Sequence, residues 1–259
     1  MKNVSNHTKK AIAMAKRSGY LLLREYLKFD RKKLKLKAKH EIVTKADLIS
    51  EKEILKSIKK DFPSHGILSE EAGANKNKSD YLWLVDPLDG TTNFTIHNPL
   101  WAVSIGLLYK NKMILGVVYA PFLKELFVAE LGKGAYLNGK KIRVSSKVSD
   151  KIINTFCHGS RIKDIKKSLR FATYQKLHGL DCRQLGSASI ELGYVACGRT
   201  ESIMIPGAHP WDVAAGTVLV REAGGRVTDF NNEEWQMESE DILASNGKVH
   251  KEILASINK

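Results

Sequence analysis

Residues 83–94 read WLVDPLDGTTNF, an apolar run that ends in two aspartates three apart, Asp86 and Asp89, with a glycine and two threonines behind them. A turn alone does not need paired carboxylates beside a rigid proline. Carboxylate oxygens suit hard divalent cations such as magnesium, which commonly bridge protein to substrate phosphate. Residues 81–85 have the character of a buried strand with Asp86 at its C-terminal end, and residues 89–92 that of a tight turn opening a helix. The first turn of a helix presents N–H groups that favour an anion. Two more acidic elements add to this. LSEEAG places Glu70 and Glu71 after a short strand, and HPWDVAAG places Asp212 at a helix start followed by small residues that permit close approach. Each also suits a blander role, as turn, N-cap or solvated loop residue. Together the acids suffice for a two-metal phosphoryl-transfer site.

The elements that must position these acids can be read from periodicity. Residues 6–28 repeat apolar side chains at helical spacing, 31–43 suit a loop or hairpin, and a second helix starts near Thr44 and stops before Pro63. A short strand and a polar loop fill residues 67–80. Residues 101–109, 112–119, 125–130 and 134–137 read as an antiparallel meander. Beyond residue 145, strands and helices alternate: 152–157, a helix over 164–178, 181–184, a helix over 187–197, 202–205, a helix over 211–223, 226–228, 242–244 and a closing helix. The expected organisation is an α+β half (1–145) with the metal-binding motifs. An α/β half (146–259) contributes Asp212 and substrate-facing residues, in one compact unit.

The chain has 259 residues, 43% of them hydrophobic, enough for a sizeable core. No apolar run reaches the ~18 to 20 residues of a membrane span, and residues 1–10 are polar and basic rather than a signal-peptide core. The expectation is a cytoplasmic protein with no membrane partner. Cys157, Cys182 and Cys197 are odd in number and lack CxxC spacing, so they read as small filler rather than disulfides or a zinc site. A net charge of +14 would attract phosphates, nucleic acid or an acidic membrane without choosing among them. The lysine clusters at 31–39, 56–60 and 163–170 read as solvated faces, and KLKLK, with Leu34 and Leu36, as an exposed edge strand or hairpin.

DPLDGTTNF, SEE and WDVAAGTVLVREAGG resemble the signature motifs of the inositol monophosphatase family, magnesium-dependent, lithium-sensitive phosphomonoesterases related to fructose-1,6-bisphosphatase. VTKAD, FPSHGILSEE, GVVYAP, GKGAYLNGKKIRVS and GSAS follow in the family's order, so the resemblance covers nearly the whole chain. It implies a five-layer αβαβα sandwich and a homodimer. It also implies that Glu70, Asp86 and the Leu88 carbonyl hold one Mg2+ and that Asp86, Asp89 and Asp212 hold a second. Gly90 and Thr91 would bind phosphate through backbone N–H groups, while Thr91, paired with Asp47, would help Glu70 orient the attacking water. Ser187 and Ala188 match the substrate-facing turn, and Asp89 and Asp212 also border the substrate.

One position departs from the pattern. Inositol-preferring members carry an acid seven positions before the last metal-binding aspartate, and here that position is Ile205. An isoleucine accepts no hydrogen bond, and desolvating a polyol hydroxyl against it costs roughly 1 to 3 kcal/mol. Arg183 and His209 lie near the site in sequence, His209 as a structural residue. The reading is a phosphomonoesterase of a small phosphorylated metabolite, inositol-1-phosphatase-like. Its alternatives are fructose-1,6-bisphosphatase, histidinol-phosphatase or 3′-phosphoadenosine 5′-phosphate nucleotidase activity. A different class would be an RNA- or ribosome-associated binding factor on the same scaffold, with nucleic acid a lesser partner.

Overall fold

The computed structural model describes residues 4–31, 35–38, 41–148 and 152–257. Helix α1 (Asn6–Tyr26) buries Ala11, Met14, Ala15, Ser18, Leu22 and Tyr26, three and four residues apart, on one face. Strands β1 (Lys35–Ala38) and β2 (Glu41–Val43) pair antiparallel, the hairpin form of the lysine-rich segment; residues 32–34, including Leu34, lie outside the described residues. Helix α2 (Lys45–Asp61) starts on a capping box, in which Thr44 and Asp47 satisfy each other's backbone groups, and ends just before Pro63.

Next come β3 (Gly66–Ser69), the two-residue β4 (Gly73–Ala74), β5 (Tyr81–Asp89) and the short α3 (Thr91–Thr95). The meander is β6 (Ala102–Tyr109), β7 (Lys112–Ala120), β8 (Glu125–Glu130), β9 (Gly134–Leu137) and β10 (Lys140–Ile142). The remainder is β11 (Ile153–Phe156), α4 (Ile162–Leu177), β12 (Asp181–Arg183), α5 (Ala188–Ala196), β13 (Ser202–Pro206), α6 (Pro210–Glu222), β14 (Arg226–Thr228), β15 (Asp241–Ser245) and α7 (His250–Ile257). The alternation expected from the sequence is present, with β4 and β10 added. One boundary moves: β5 does not stop at Asp86 but continues through Pro87 to Asp89. The register against β6 shifts between Asp86, opposite Ser104, and Asp89, opposite Ala102. A proline, with no N–H to offer, is tolerated in a strand at such an irregularity.

Beside the β1-β2 pair, the described residues form two larger sheets, both mixed. The larger runs β10-β9-β8-β7-β6-β5-β3-β4, with only β3 and β5 parallel, and the smaller runs β12-β11-β13-β15-β14. Helices α1 and α2 pack on one face of the large sheet, α5 and α6 fill the space between the sheets, and α4 and α7 cover the far face of the small sheet. That is the αβαβα sandwich, and each helix layer seals one apolar cluster. One is centred on Met14, Trp83, Phe94 and Trp101, one on Phe127, Leu192, Ile203 and Leu219, and one on Phe171, Met204 and Ile253.

The middle layer is tight because α6 presents Ala214 and Ala215 where β6 and β7 present Gly106 and Gly116, and Gly216 where α5 presents Leu192. A Cβ on Gly116 would overlap the backbone carbonyl of Ala215. Gly116→Ala should therefore lower the unfolding free energy by about 1 to 3 kcal/mol, the usual cost of overpacking a core. Urea denaturation checks this, and an unchanged midpoint would show that α6 can move away.

Candidate active site

The parallel pairing of β3 with β5 sets Ser69 opposite Val85, and the Glu70 N–H donates to the Val85 carbonyl at 3.1 Å. Glu70 and Asp86 thereby leave adjacent strands at the same level and border the same cavity. Asp86 is 2% exposed, and its Oδ1 accepts from the Leu88 N–H at 2.9 Å across the shifted stretch. Gly90 caps α3 with φ 86°, and a Cβ there would come within 2.8 Å of the Leu100 carbonyl. That conformation and that space both require glycine. Thr91 Oγ1 lies 3.2 Å from Asp47 Oδ1 and 3.0 Å from the Leu88 carbonyl, both acceptors for its proton. Asp212 is the third residue of α6 and accepts from the His209 N–H at 3.1 Å.

Glu70, Asp86, Leu88, Asp89, Gly90, Thr91 and Asp212 line one cavity of about 610 Å³, joined by Gly186, Ala188, Ile165, Ile205 and Trp211. Three chain segments far apart in sequence thus bring four carboxylates to one space. Burial raises the Asp86 pKa well above the usual carboxylate range, and the charges of Glu70, Asp89 and Asp212 raise it further. Asp212 is raised in the same way, by burial and then by Glu70 and Asp89. Burial lifts Asp47 to about 6 against the opposing pull of its bonds from Thr44 and Thr91.

The structure places several expected residues differently. Ser187 does not line the cavity: its hydroxyl donates to Asp89 Oδ2 at 2.5 Å. Asp89 also accepts from the Ala188 N–H at 3.1 Å and from the Ser189 N–H at 2.8 Å, so it caps the start of α5 while bordering the cavity. Ile205 is 4% exposed, sits opposite Ile242 in the core, and reaches the cavity from there. Arg183 pairs with Asp181 and does not reach the cavity. His209 stacks on Trp211 at the rim, ring centroids 4.8 Å apart.

The cysteines are free thiols, as expected, but Cys157 is more than filler. It lines the cavity and donates to buried Glu191 at 3.2 Å, whose pKa burial pushes up to about 7. Sequence reasoning also missed Asn93, whose amide donates to the carbonyls of Leu100 and Leu185 at 2.7 and 2.8 Å and ties α3 to the turn before α5. Its only signal was its place in TTNF.

Among the described residues no three His, Cys, Asp or Glu side chains already converge as a metal cage. Asp89 is turned onto α5 and Asp86 onto its own turn. The donor set nevertheless fits a hard cation: the carboxylates of Glu70, Asp86, Asp89 and Asp212 and the Leu88 carbonyl all border one cavity, and their crowded charge raises Asp86 and Asp212.

The model of the inositol monophosphatase family matches residues 3–259. A protein named "Nus factor SuhB" from Pasteurella multocida is 38% identical over 253 residues, covering 95% of this chain and 94% of its own. A "Fructose-1,6-bisphosphatase/inositol-1-monophosphatase" from Thermotoga maritima is 35% identical over 249 residues, covering 96% and 94%. The crystal structure of the extragenic suppressor protein suhB from Bartonella henselae superposes with a TM-score of 0.92 at 32% identity, covering 98% of this chain and 99% of that one.

A carboxyl whose pKa is raised on folding keeps its proton longer in the folded state than in the unfolded chain, so stability falls as pH rises through the folded value. For Asp86 and Asp212 that loss begins near pH 4 and extends upward. In chelator, the Tm of the wild type should therefore fall relative to that of Asp86→Asn as the pH goes from 4.5 to 7.5. Added magnesium should close the gap. Parallel Tm profiles for the two proteins in chelator would contradict the charge crowding.

Proposed function

The chain belongs to the inositol monophosphatase family, and from that premise we propose that it is a magnesium-dependent phosphomonoesterase of a small phosphorylated metabolite. The observation that carries the reading is the meeting of Glu70, Asp86, Asp89 and Asp212 around one cavity at the start of α3. Glu70, Asp86, Asp89, Asp212 and the Leu88 carbonyl would hold the magnesium. When bound, magnesium supplies charge that offsets the phosphate's own and makes water a stronger nucleophile. The N–H groups of Gly90 and Thr91 bind the phosphate from the α3 end. Asp47 and the Leu88 carbonyl hold the Thr91 proton, which leaves the hydroxyl oxygen to accept from the attacking water and orient it together with Glu70. The wall of Ile165, Ile205, Ala208 and Trp211 faces the alcohol part of the ester and offers it apolar surface. The homodimer and the cytoplasmic place belong to the same proposal and rest on the resemblance and the composition.

The relatives' names divide between an enzyme and a factor. One observation favours a second reading, an RNA- or ribosome-associated factor: the net charge of +14, with Lys9, Lys16, Lys52, Lys56, Lys59 and Lys60 exposed on the outer helix layer. RNA binding that weakens steeply with salt and survives Asp86→Asn would support that factor role.

Phosphate release from inositol 1-phosphate, fructose 1,6-bisphosphate, histidinol phosphate, 3′-phosphoadenosine 5′-phosphate and NADP tests the enzyme reading. Turnover of at least one is expected with magnesium and none in chelator. Asp86→Asn should lower kcat/KM by about two powers of ten or more, the loss of a few kcal/mol of stabilisation. Near-wild-type turnover in that variant would sink the scheme. Inositol 1-phosphate should be handled worse than the best substrate, and Ile205→Glu should narrow that gap in protein that melts normally. If inositol 1-phosphate is already the preferred ester, Ile205 does not set the choice.

A further inference from the structure

Helix α2 lies under the site and buries a polar stripe, Asp47, Ser50 and Glu51, at positions i, i+3 and i+4 on the face turned to β5. Each member grips a different segment of the site. Asp47 holds the Thr91 hydroxyl, and Ser50 Oγ donates to the Pro87 carbonyl at 2.6 Å, between Asp86 and Leu88. Glu51 reaches the loop that carries Glu70: its Oε1 accepts from Ser69 Oγ at 2.5 Å, from the Ala72 N–H at 2.9 Å and from the Glu71 N–H at 3.2 Å. Those three donors bracket Glu70 on both sides, while its own N–H is pinned to Val85. Glu51 is 6% exposed and does not border the cavity, so it touches neither substrate nor metal.

We propose that Glu51 is a positioning residue that fixes the backbone of residues 69–72 so that the Glu70 carboxylate stands beside Asp86. Ser50 and Asp47 do the same for the next two segments. Three donors converge on one acceptor oxygen of Glu51, so a single side chain ties down the backbone on both sides of Glu70. With Glu51 cut back, the loop keeps its fold but loses its anchor, and Glu70 samples positions away from Asp86. Groups that orient a metal's ligands typically change metal affinity by about 10- to 100-fold when removed.

The inference rests on magnesium binding at this site, and the test separates the two. Magnesium is titrated into the metal-free full chain while tryptophan fluorescence is followed, Trp211 being next to Asp212 on the cavity wall. Glu51→Ala should weaken magnesium binding about tenfold, Glu51→Gln should recover most of the loss because an acceptor oxygen remains, and Glu53→Ala, a half-buried α2 residue paired with Arg17 of α1, should change nothing. If Glu51→Ala does not fold, Ser69→Ala, which removes one of the three donors, should still weaken binding several-fold in protein that melts like the wild type. Ile253→Val, in the cluster under α7 and away from the cavity, is the control for general destabilisation and should bind magnesium normally. Wild-type magnesium affinity in folded Glu51→Ala, or in Ser69→Ala where the former does not fold, would overturn the positioning role. Failure of the wild type itself to bind magnesium would instead overturn the functional reading.

Discussion

Crowding of like charge is the constraint on which the rest of this molecule depends. Four carboxylates are brought to one partly buried space, where the charges of Glu70 and Asp89 raise the cost of ionising both Asp86 and Asp212. Two unit charges 4 Å apart interact by roughly 4 kcal/mol at an effective dielectric of 20. A chain that is stable by only about 5 to 15 kcal/mol in total cannot leave such repulsion unanswered. The fold answers it with rigid supports. Asp89 is held by the start of α5, Asp212 by its own capping box, and Asp86 by the turn at Pro87. The remaining repulsion is what a bound cation would remove.

The supports explain features that otherwise look unrelated. The register shift in β5 lets one strand deliver two acids and then turn into α3. Small residues on α6 let that helix press against the large sheet closely enough to carry Asp212 toward Asp86. The polar stripe of α2 would be a liability under a sheet, since buried polar groups are costly unless paired. Here each member is paired, and each pair ties the helix to a different part of the cavity.

Much of this could be read from the residues. The helices over 6–26 and 45–61, the meander and the later alternation followed from apolar period and turn chemistry, and the acids announced themselves beside glycine, proline and small residues. What could not be read was non-local. Proline at 87 argued that β5 ends at Asp86, and only the pairing with β6 shows the strand resuming at Asp89. Strands β4 and β10, two and three residues long, carry too little pattern to be seen. Nothing near Ser187 says that its hydroxyl turns to Asp89, 98 residues earlier. Glu51, one acid among many on a lysine-rich helix, has no local signature at all. Ile205 was legible as a missing acid, but its place in the core became visible only with β13 and β15 paired.

Manganese can stand in for magnesium and be located by its anomalous X-ray scattering. Crystals of the full chain soaked in manganese should show anomalous density among the Glu70, Asp86, Asp89 and Asp212 carboxylates, with Asp86 shared wherever two peaks are resolved. A fully occupied manganese map with no peak at those carboxylates, or with its only peaks elsewhere, would contradict the site and the chemistry built on it.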